Sequence, residues 1–300
     1  MSKFHQMSVY VSVAEEESFS GAARKLGMSP PAVTRAVAAL EERLGTKLLS
    51  RTTRFVRATD AGLRYLEHAR RIIAEVDDAD EVAAGTSAEP RGQLAITAPV
   101  LFGRMFVLPN MLEYMVRYPE VTMTALFLDR VVNLLEEGID VGVRIGELPD
   151  SSMKAIGIGQ VRQVVCASPG YLKAHGTPHI PSDLVGHTIV AASAVSPSLD
   201  WKFFTGKKMT HVKMKPQLTV TNNEAAIVAA IQGFGVTRLL SYQVAAYVAS
   251  GQLKIVLNEY EPPRLPIHVL HREGQQASAK VRTFVDLLVE RLRADKALCL

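Results

Sequence analysis

The stretch FSGAARKLGMSPPAVTRAVAALEERLGTKLLSRTTRFVRATDAG, Phe19 to Gly62, decides how the rest of the chain is read. Its first part, Gly21 to Leu26, has helical apolar spacing and stops at Gly27, a residue free to take the positive φ that ends a helix. Ser29 then stands where an N-cap belongs, and Pro30 and Pro31 suit a first helical turn, where an amide hydrogen has no intrahelical partner. This second helix runs to about Leu44 and ends at Gly45. Val33, Val37, Leu40 and Leu44 recur at four, three and four residues, which predicts a face packed on the first helix. Thr34, Arg35 and Ala38 fall on the other side. Leu48 to Arg57 then reads as a β-hairpin, a wing with guanidinium groups along it.

Two short helices joined by a tight turn, the second exposing small, hydroxylic and basic residues near its start, is the helix-turn-helix pattern that lies in a DNA major groove. Ser29, Pro30, Pro31 and Ala32 would let that helix approach closely, with Thr34 and Arg35 toward base edges. Arg51, Thr52, Thr53, Arg54 and Arg57 of the wing would meet phosphate or a minor groove. Charge agrees: from Arg24 to Arg57 eight Lys or Arg stand against Glu41 and Glu42, whereas the whole chain nets only +4.

The 300 residues suffice for about two domains at ~100–200 residues each. With 48% hydrophobic and 21% charged residues, neither disorder nor a fibrous protein is indicated. Cys166 and Cys299 lie far apart without metal-type spacing, which fits a reducing compartment; no cation except Arg162 lies near enough in sequence to activate Cys166. The N-terminus lacks an apolar signal core and no run reaches a membrane-span length, so a cytoplasmic location is expected, without a membrane partner.

Phe4 to Glu17 predicts a helix with Met7, Val11 and Ala14 on one side; its run Glu15, Glu16 and Glu17 should face away from phosphate. After the wing, Thr59 is an N-cap for a long helix to about Ala84. Leu66, Ala69, Ile73, Val76, Asp80 and Ala83 trace a coiled-coil seam along it. Such a seam either joins a second copy or packs on its own chain. Residues 85 to 90 read as a hinge. From Gly92 strands and helices alternate: strands at Gln93–Ala98, Val121–Leu128, Ile139–Ile145 and Pro266–His271, helices at Met111–Tyr118, Val131–Glu137, Pro169–His175, Glu224–Gln232, Tyr242–Ser250 and Ala277–Arg293. This alternation predicts a parallel, doubly wound sheet.

The N-terminal run SFSGAARKLGMSPPAVTRAVAALEERLG with the wing LLSRTTRFVRATDAG resembles the LysR-type transcriptional regulators. So do the later phrases GQLAITAPVLFGR, PEVTMTALFLDRVVNLLEEGIDVGVRIGELPDSS, VCASPGYLKAHGTP, LTVTNNEAAIVAAIQGFGVTRLLSYQVA and PIHVLH. The resemblance covers essentially the whole chain. It implies α plus α/β architecture: a winged helix-turn-helix over 1–58, a linker and dimerisation helix with hinge over 59–90, and an effector domain over 91–300 resembling periplasmic binding proteins. Lobe I would take about 91–162 and 266–300, and lobe II about 163–265, with crossings near Arg162 to Cys166 and Leu265 to His268. Double-stranded DNA, a small-molecule effector, a homodimer or homotetramer and RNA polymerase are the partners this implies. Leu240 departs from relatives, which often carry proline there.

Catalytic signals fail: there is no G-x-S-x-G, H-E-x-x-H or P-loop lysine motif, and the eight histidines are scattered, so no cofactor or metal is expected. A binding cleft is better supported, because in open α/β sheets ligands sit beyond the carboxyl ends of strands. Thr97, Pro99 and Val100 end one strand, Leu128 the next, and Arg144 the third, where it could pair with an acid group. Thr221, Asn222 and Thr237 are their counterparts in the second lobe. Each also has a structural reading: Thr97 and Asn222 as helix caps, Arg144 as one half of an ion pair. An anionic metabolite is the expected ligand. Two other classes fit less well, a two-lobed solute receptor without a DNA role and an α/β enzyme with a helical appendage.

Overall fold

Ser2 and Ser18 set the first two helices, because their hydroxyls accept from the amides of His5 (3.2 Å) and Gly21 (3.0 Å). The computed structural model describes residues 2–51, 56–84, 89–130, 132–134, 136–148, 153–192, 199–271 and 277–298, with backbone alone for Arg51, Asp77, Asp78 and residues 81–84. The chain falls into two units, Met1–Ala88 and Glu89–Leu300.

In the first unit, helices α1 (Lys3–Glu16), α2 (Phe19–Lys25) and α3 (Pro30–Leu44) close around Val9, Tyr10, Val13, Ala22, Val33, Ala36, Val37 and Leu40. The middle of α1 is buried nearly all round, over Val9–Val13, so Met7 and Ala14 sit at the edge of the core and do not line it. Leu44, expected on the apolar face of α3, is 37% exposed. Gly45 ends α3 in the left-handed region at φ 66°. The wing strands β1 (Leu49–Arg51) and β2 (Val56–Ala58) pair antiparallel with Ser50 opposite Arg57. Helix α4 (Asp60–Ala84) follows; the Thr59 hydroxyl accepts from the Gly62 amide (3.0 Å) and donates to the Lys47 carbonyl (2.8 Å).

The second unit holds two five-stranded sheets, both mixed where parallel ones were expected. In lobe I, β3 (Gly92–Ala98) runs parallel to β4 (Val121–Phe127) and β5 (Val141–Ile145). The late strand β14 (Leu265–His271) lies antiparallel between β5 and β6 (Lys154–Val161), giving the order β4-β3-β5-β14-β6. In lobe II the order is β11-β8-β12-β7-β13, over Leu218–Val220, Ile189–Ala192, Val236–Leu240, Gln163–Ala167 and Lys254–Val256. There β11, β8 and β12 are parallel, β7 alone runs against them, and β13, antiparallel to β7, resumes their direction. A separate hairpin, β9 (Asp200–Thr205) with β10 (Lys208–Lys213), packs Trp201, Phe203 and Val212 against lobe II.

Around these sheets lie α5 (Val100–Phe102), a π-helical turn over Gly103–Val107 and α6 (Leu108–Arg117). Farther on come α7 (Pro169–His175), α8 (Asn223–Ile231), α9 (Ser241–Ala249) and α10 (Ala279–Ala294). The Tyr114 ring on α6 meets Phe284 of α10 edge-on at 5.2 Å. Between β4 and β5 the expected helix Val131–Glu137 is replaced, in its described residues, by turns. Val132, Leu134 and Ile139 drop from that segment onto the second face of the lobe I sheet with Leu270. Seven residues are too few to hold helix on propensity, so packing decides.

Candidate functional site

Helix α3 presents the groove-facing set. Ser29 occupies the N-cap position yet its hydroxyl makes no capping bond, because Pro31 offers no amide and the Ala32 amide bonds the Ser29 carbonyl at 2.9 Å. Ser29, Pro30, Pro31 and Arg35 are exposed, and Ala32 and Thr34 are half-buried. Arg35 makes no hydrogen bond or ion pair with any described residue. The acids of α1 are neutralised from within the unit: Glu15 pairs with Lys25 (3.3 Å) and Arg70 (3.1 Å), and Glu16 with Lys25 (3.5 Å). On the wing Arg57 is exposed; Thr52, Thr53, Arg54 and the Arg51 side chain lie outside the described residues.

The sequence offers Glu41 only as a charge set against the arginines, and the structure gives it a bonding role. It is buried, and its carboxylate accepts from the amides of Leu48 (2.9 Å) and Leu49 (3.1 Å) and from the Lys47 ammonium (2.7 Å). Burial raises its pKa, but Lys47 and the two amides outweigh that and hold the carboxyl below its usual range. The signal was present, since position 41 falls four residues after Val37 on the packed face.

Along α4 the expected seam divides. Ala69 is buried in its own unit, and Leu66 and Ile73 pack beside it. Ile72 and Val76 stay 45% and 37% exposed. Asp80 is exposed and the Ala83 side chain lies outside the described residues.

Between the two lobes, the carboxyl ends of the strands meet helix starts as expected, but with different partners. The Val100 amide, expected to hold a ligand carboxylate, donates to Oδ1 of Asp129 at 3.0 Å. Thr97 is fully buried and its hydroxyl donates to the Leu126 carbonyl at 2.7 Å. Pro99 is half-buried between them. Leu128 donates its amide to Ala98 (2.9 Å) and turns its side chain to Val132, Leu134 and Ile139. The Arg144 guanidinium donates to the carbonyls of Val143 (3.0 Å) and Val132 (3.5 Å). Burial lowers its pKa, against the pull of the Glu137 carboxylate, which is itself bound twice by Arg130 at 2.9 and 3.0 Å.

In lobe II, Thr221 is exposed and Asn222 caps α8, its Oδ1 accepting from Ala225 at 2.8 Å. The next residue carries more. Asn223 is only 2% exposed, and among the described residues neither its amide nitrogen nor its oxygen has a partner; the fully buried Thr237 hydroxyl has none there either. Thr237 pairs with Val190 and Cys166, and the strand surface it shares with them is the one α8 covers, so Asn223 and Thr237 belong to one layer.

The lobes touch through Arg104, which pairs with Glu224, and through Phe102 and Phe106, whose rings stand 5.5 and 5.7 Å from Tyr242. Burial pushes the Tyr242 hydroxyl far up, and the Asp129 carboxylate nearby adds to it. Leu240 uses its amide to donate to Gln243 Oε1 at 2.9 Å, a bond proline cannot make. Burial also lifts the Cys166 thiol to about 12, which leaves it unreactive.

A winged helix-turn-helix followed by a two-lobed α/β unit defines a DNA-binding regulator with a ligand-sensing part. The family model described as bacterial regulatory helix-turn-helix protein, lysR family, matches residues 4–63, and that described as LysR substrate binding domain matches residues 87–293. The chain belongs to the LysR family: it is a DNA-binding transcriptional regulator whose C-terminal part is an effector-binding domain. It is 33% identical over 292 residues to an HTH-type transcriptional regulator of Xanthomonas campestris pv. campestris, covering 96% of this chain and 85% of that one. It is 31% identical over 288 residues to the regulator CrgA of Neisseria meningitidis serogroup B, covering 96% of both. The solved structure of Neisseria meningitidis CrgA has a TM-score of 0.62 at 30% identity, covering 97% of this chain and 99% of that one. Full-length AphB of Vibrio cholerae, at 23% identity, has a TM-score of 0.62 over 96% of this chain and 99% of its own, and shares the fold. No helix among the described residues is long and apolar enough to cross a membrane.

Proposed function

We propose that α3 enters the major groove with Thr34 and Arg35 at base edges, while Ser29, Pro30, Pro31 and Ala32 form a small-residue front that brings the backbone close. Arg57 grips phosphate or a minor groove together with Arg51, Thr52, Thr53 and Arg54 of the wing. Two chains join through the outer half of α4, as a homodimer or as pairs within a tetramer, so that two reading helices meet two half-sites. The chain works in the cytoplasm with its DNA, and RNA polymerase is its partner at the promoter.

The effector enters between the lobes, past Pro99, Val100 and Leu128 on one side and Thr221, Asn222, Asn223 and Thr237 on the other. Thr97 and Arg144 support the lobe I wall, and Arg144 is the cation open to an acid group on the ligand. Binding biases the lobes toward whichever arrangement holds the ligand better, and that difference changes how the reading helices engage DNA.

One observation carries the DNA reading: Arg35 is exposed beside Thr34 and committed to no described residue. Fluorescence anisotropy on a specific and a scrambled duplex tests it. Arg35→Ala should lose about 1–3 kcal/mol of discrimination between the two, and Arg57→Ala should weaken both alike and flatten the salt dependence by about one unit of slope. Undiminished discrimination in Arg35→Ala would move the reading face elsewhere.

A further inference from the structure

Four observations at the junction of the lobes bear on what the effector looks like. The Val100 amide opens the helical run from Val100 to Arg117, and it is taken by the chain's own Asp129 carboxylate at 3.0 Å. Asp129 is half-buried and lies close enough to Tyr242 of α9 for its charge to act on that hydroxyl, so it stands where the two lobes face each other. In lobe II, at the start of α8 and on β12, Asn223 holds a buried donor and a buried acceptor, and Thr237 a buried hydroxyl, without partners among the described residues. Nearby, Arg104 is engaged by Glu224, and Arg144 rests on two carbonyls.

A carboxylate arriving at the Val100 amide would have to displace Asp129 or lie against it as a like charge, and two carboxylates sharing a site disfavour each other's ionised form. An N–H or O–H donor meets no such obstacle, because Asp129 commits one oxygen to Val100 and a carboxylate accepts at both. We propose that Asp129 is a selectivity residue: the end of the effector that meets the Val100 and Asp129 pair is a hydrogen-bond donor, an ammonium, amide or hydroxyl group, and not a carboxylate. The proposal rests on the reading that the effector binds between the lobes. It fixes the polarity of one end of the ligand and leaves an acid group elsewhere on it free to use Arg144. The Asn223 amide, unpartnered among the described residues, carries a donor and an acceptor side by side and suits the same kind of ligand.

The test uses full-length protein labelled with 15N-valine, with the Val100 amide resonance as reporter and two probes, acetate and ethylammonium, titrated at constant ionic strength. Ethylammonium should shift Val100 in the wild type and acetate should not. In Asp129→Ala the order reverses: acetate binds about tenfold more tightly than to the wild type, as expected when a like charge is removed and the amide freed. Asp129→Asn keeps an oxygen to accept from Val100 but loses the charge; it covers the case in which the alanine variant does not fold, and it should lose the ethylammonium response. Acetate shifting Val100 equally in wild type and Asp129→Ala, or ethylammonium acting unchanged on Asp129→Asn, would overturn the proposal and leave the cleft reading intact. Silence of Val100 to both probes in every protein would overturn the cleft reading, and the proposal with it.

Discussion

Glu41 brings a negative charge into the unit that has to meet a polyanion, and the structure spends that charge inside. Its carboxylate ties α3 to the first residues of the wing through Leu48 and Leu49. Glu41→Ala should therefore cost about 2–4 kcal/mol, because two buried amides lose their acceptor. Thermal unfolding of the full chain followed by circular dichroism would measure it. Since the folded carboxyl is held below its usual range, its stabilisation is complete above the unfolded value of about 4.3 and is lost as pH falls through the lower folded value. Glu41→Gln should remove that part of the acid sensitivity. Thr237 poses the reverse case. Its buried hydroxyl has no partner among the described residues, so Thr237→Val should raise the stability of the free protein by about 1 kcal/mol while weakening the response to effector. Loss of stability in that variant would mean that the hydroxyl is bonded in solution.

Among elements, α4 shows how far periodicity can be read. Its length and its Thr59 cap were legible, since a 25-residue helix with a marked apolar stripe has few alternatives. Which side of the stripe is used at home was not, because that depends on where α1 lies: Ala69 went to the unit's own core and left Ile72 and Val76 outside. Ile72→Asp with Val76→Asp should shift the sedimentation coefficient toward the monomer while leaving circular dichroism unchanged, since neither residue is part of the core. In lobe I the strands read at 93–98, 121–128, 139–145 and 266–271 were legible from their apolar runs, whereas β6 and the individual strands of lobe II were not placed, and the helix expected at Val131–Glu137 had spacing too short to persist without help. For the residues proposed to line the cleft, the strand ends and helix starts were legible, but the hydrogen-bond partners found there were not. Nothing in the order of residues announces that Asp129 reaches back to Val100, or that Asn222 takes the cap and leaves Asn223 inside. At the root of α4, the Tyr10 hydroxyl donates to the Gly62 carbonyl at 2.9 Å, and a Cβ on Gly62 would lie 2.0 Å from the Leu48 carbonyl oxygen. Gly62→Ala should accordingly disturb the wing and α4 together. Loss of specific duplex binding alongside a lower melting temperature is the expected reading of that variant.

For the whole molecule, the order in which the chain is made differs from the order in which its sheets close. Lobe II is built from one continuous run, β7 to β13, and has all its strands once Val256 is made. Lobe I waits: β6 joins its sheet only through β14, and α10, which covers that sheet, comes later still. A nascent chain leaving the ribosome thus holds an unclosed first lobe through the synthesis of the entire second one, with the edges of β5 and β6 unsatisfied meanwhile. Nonsense mutations that stop the chain between β3 and Leu265 should then yield insoluble fragments and not a trimmed receptor. The last few dozen codons act as the clasp on a lobe begun near residue 92.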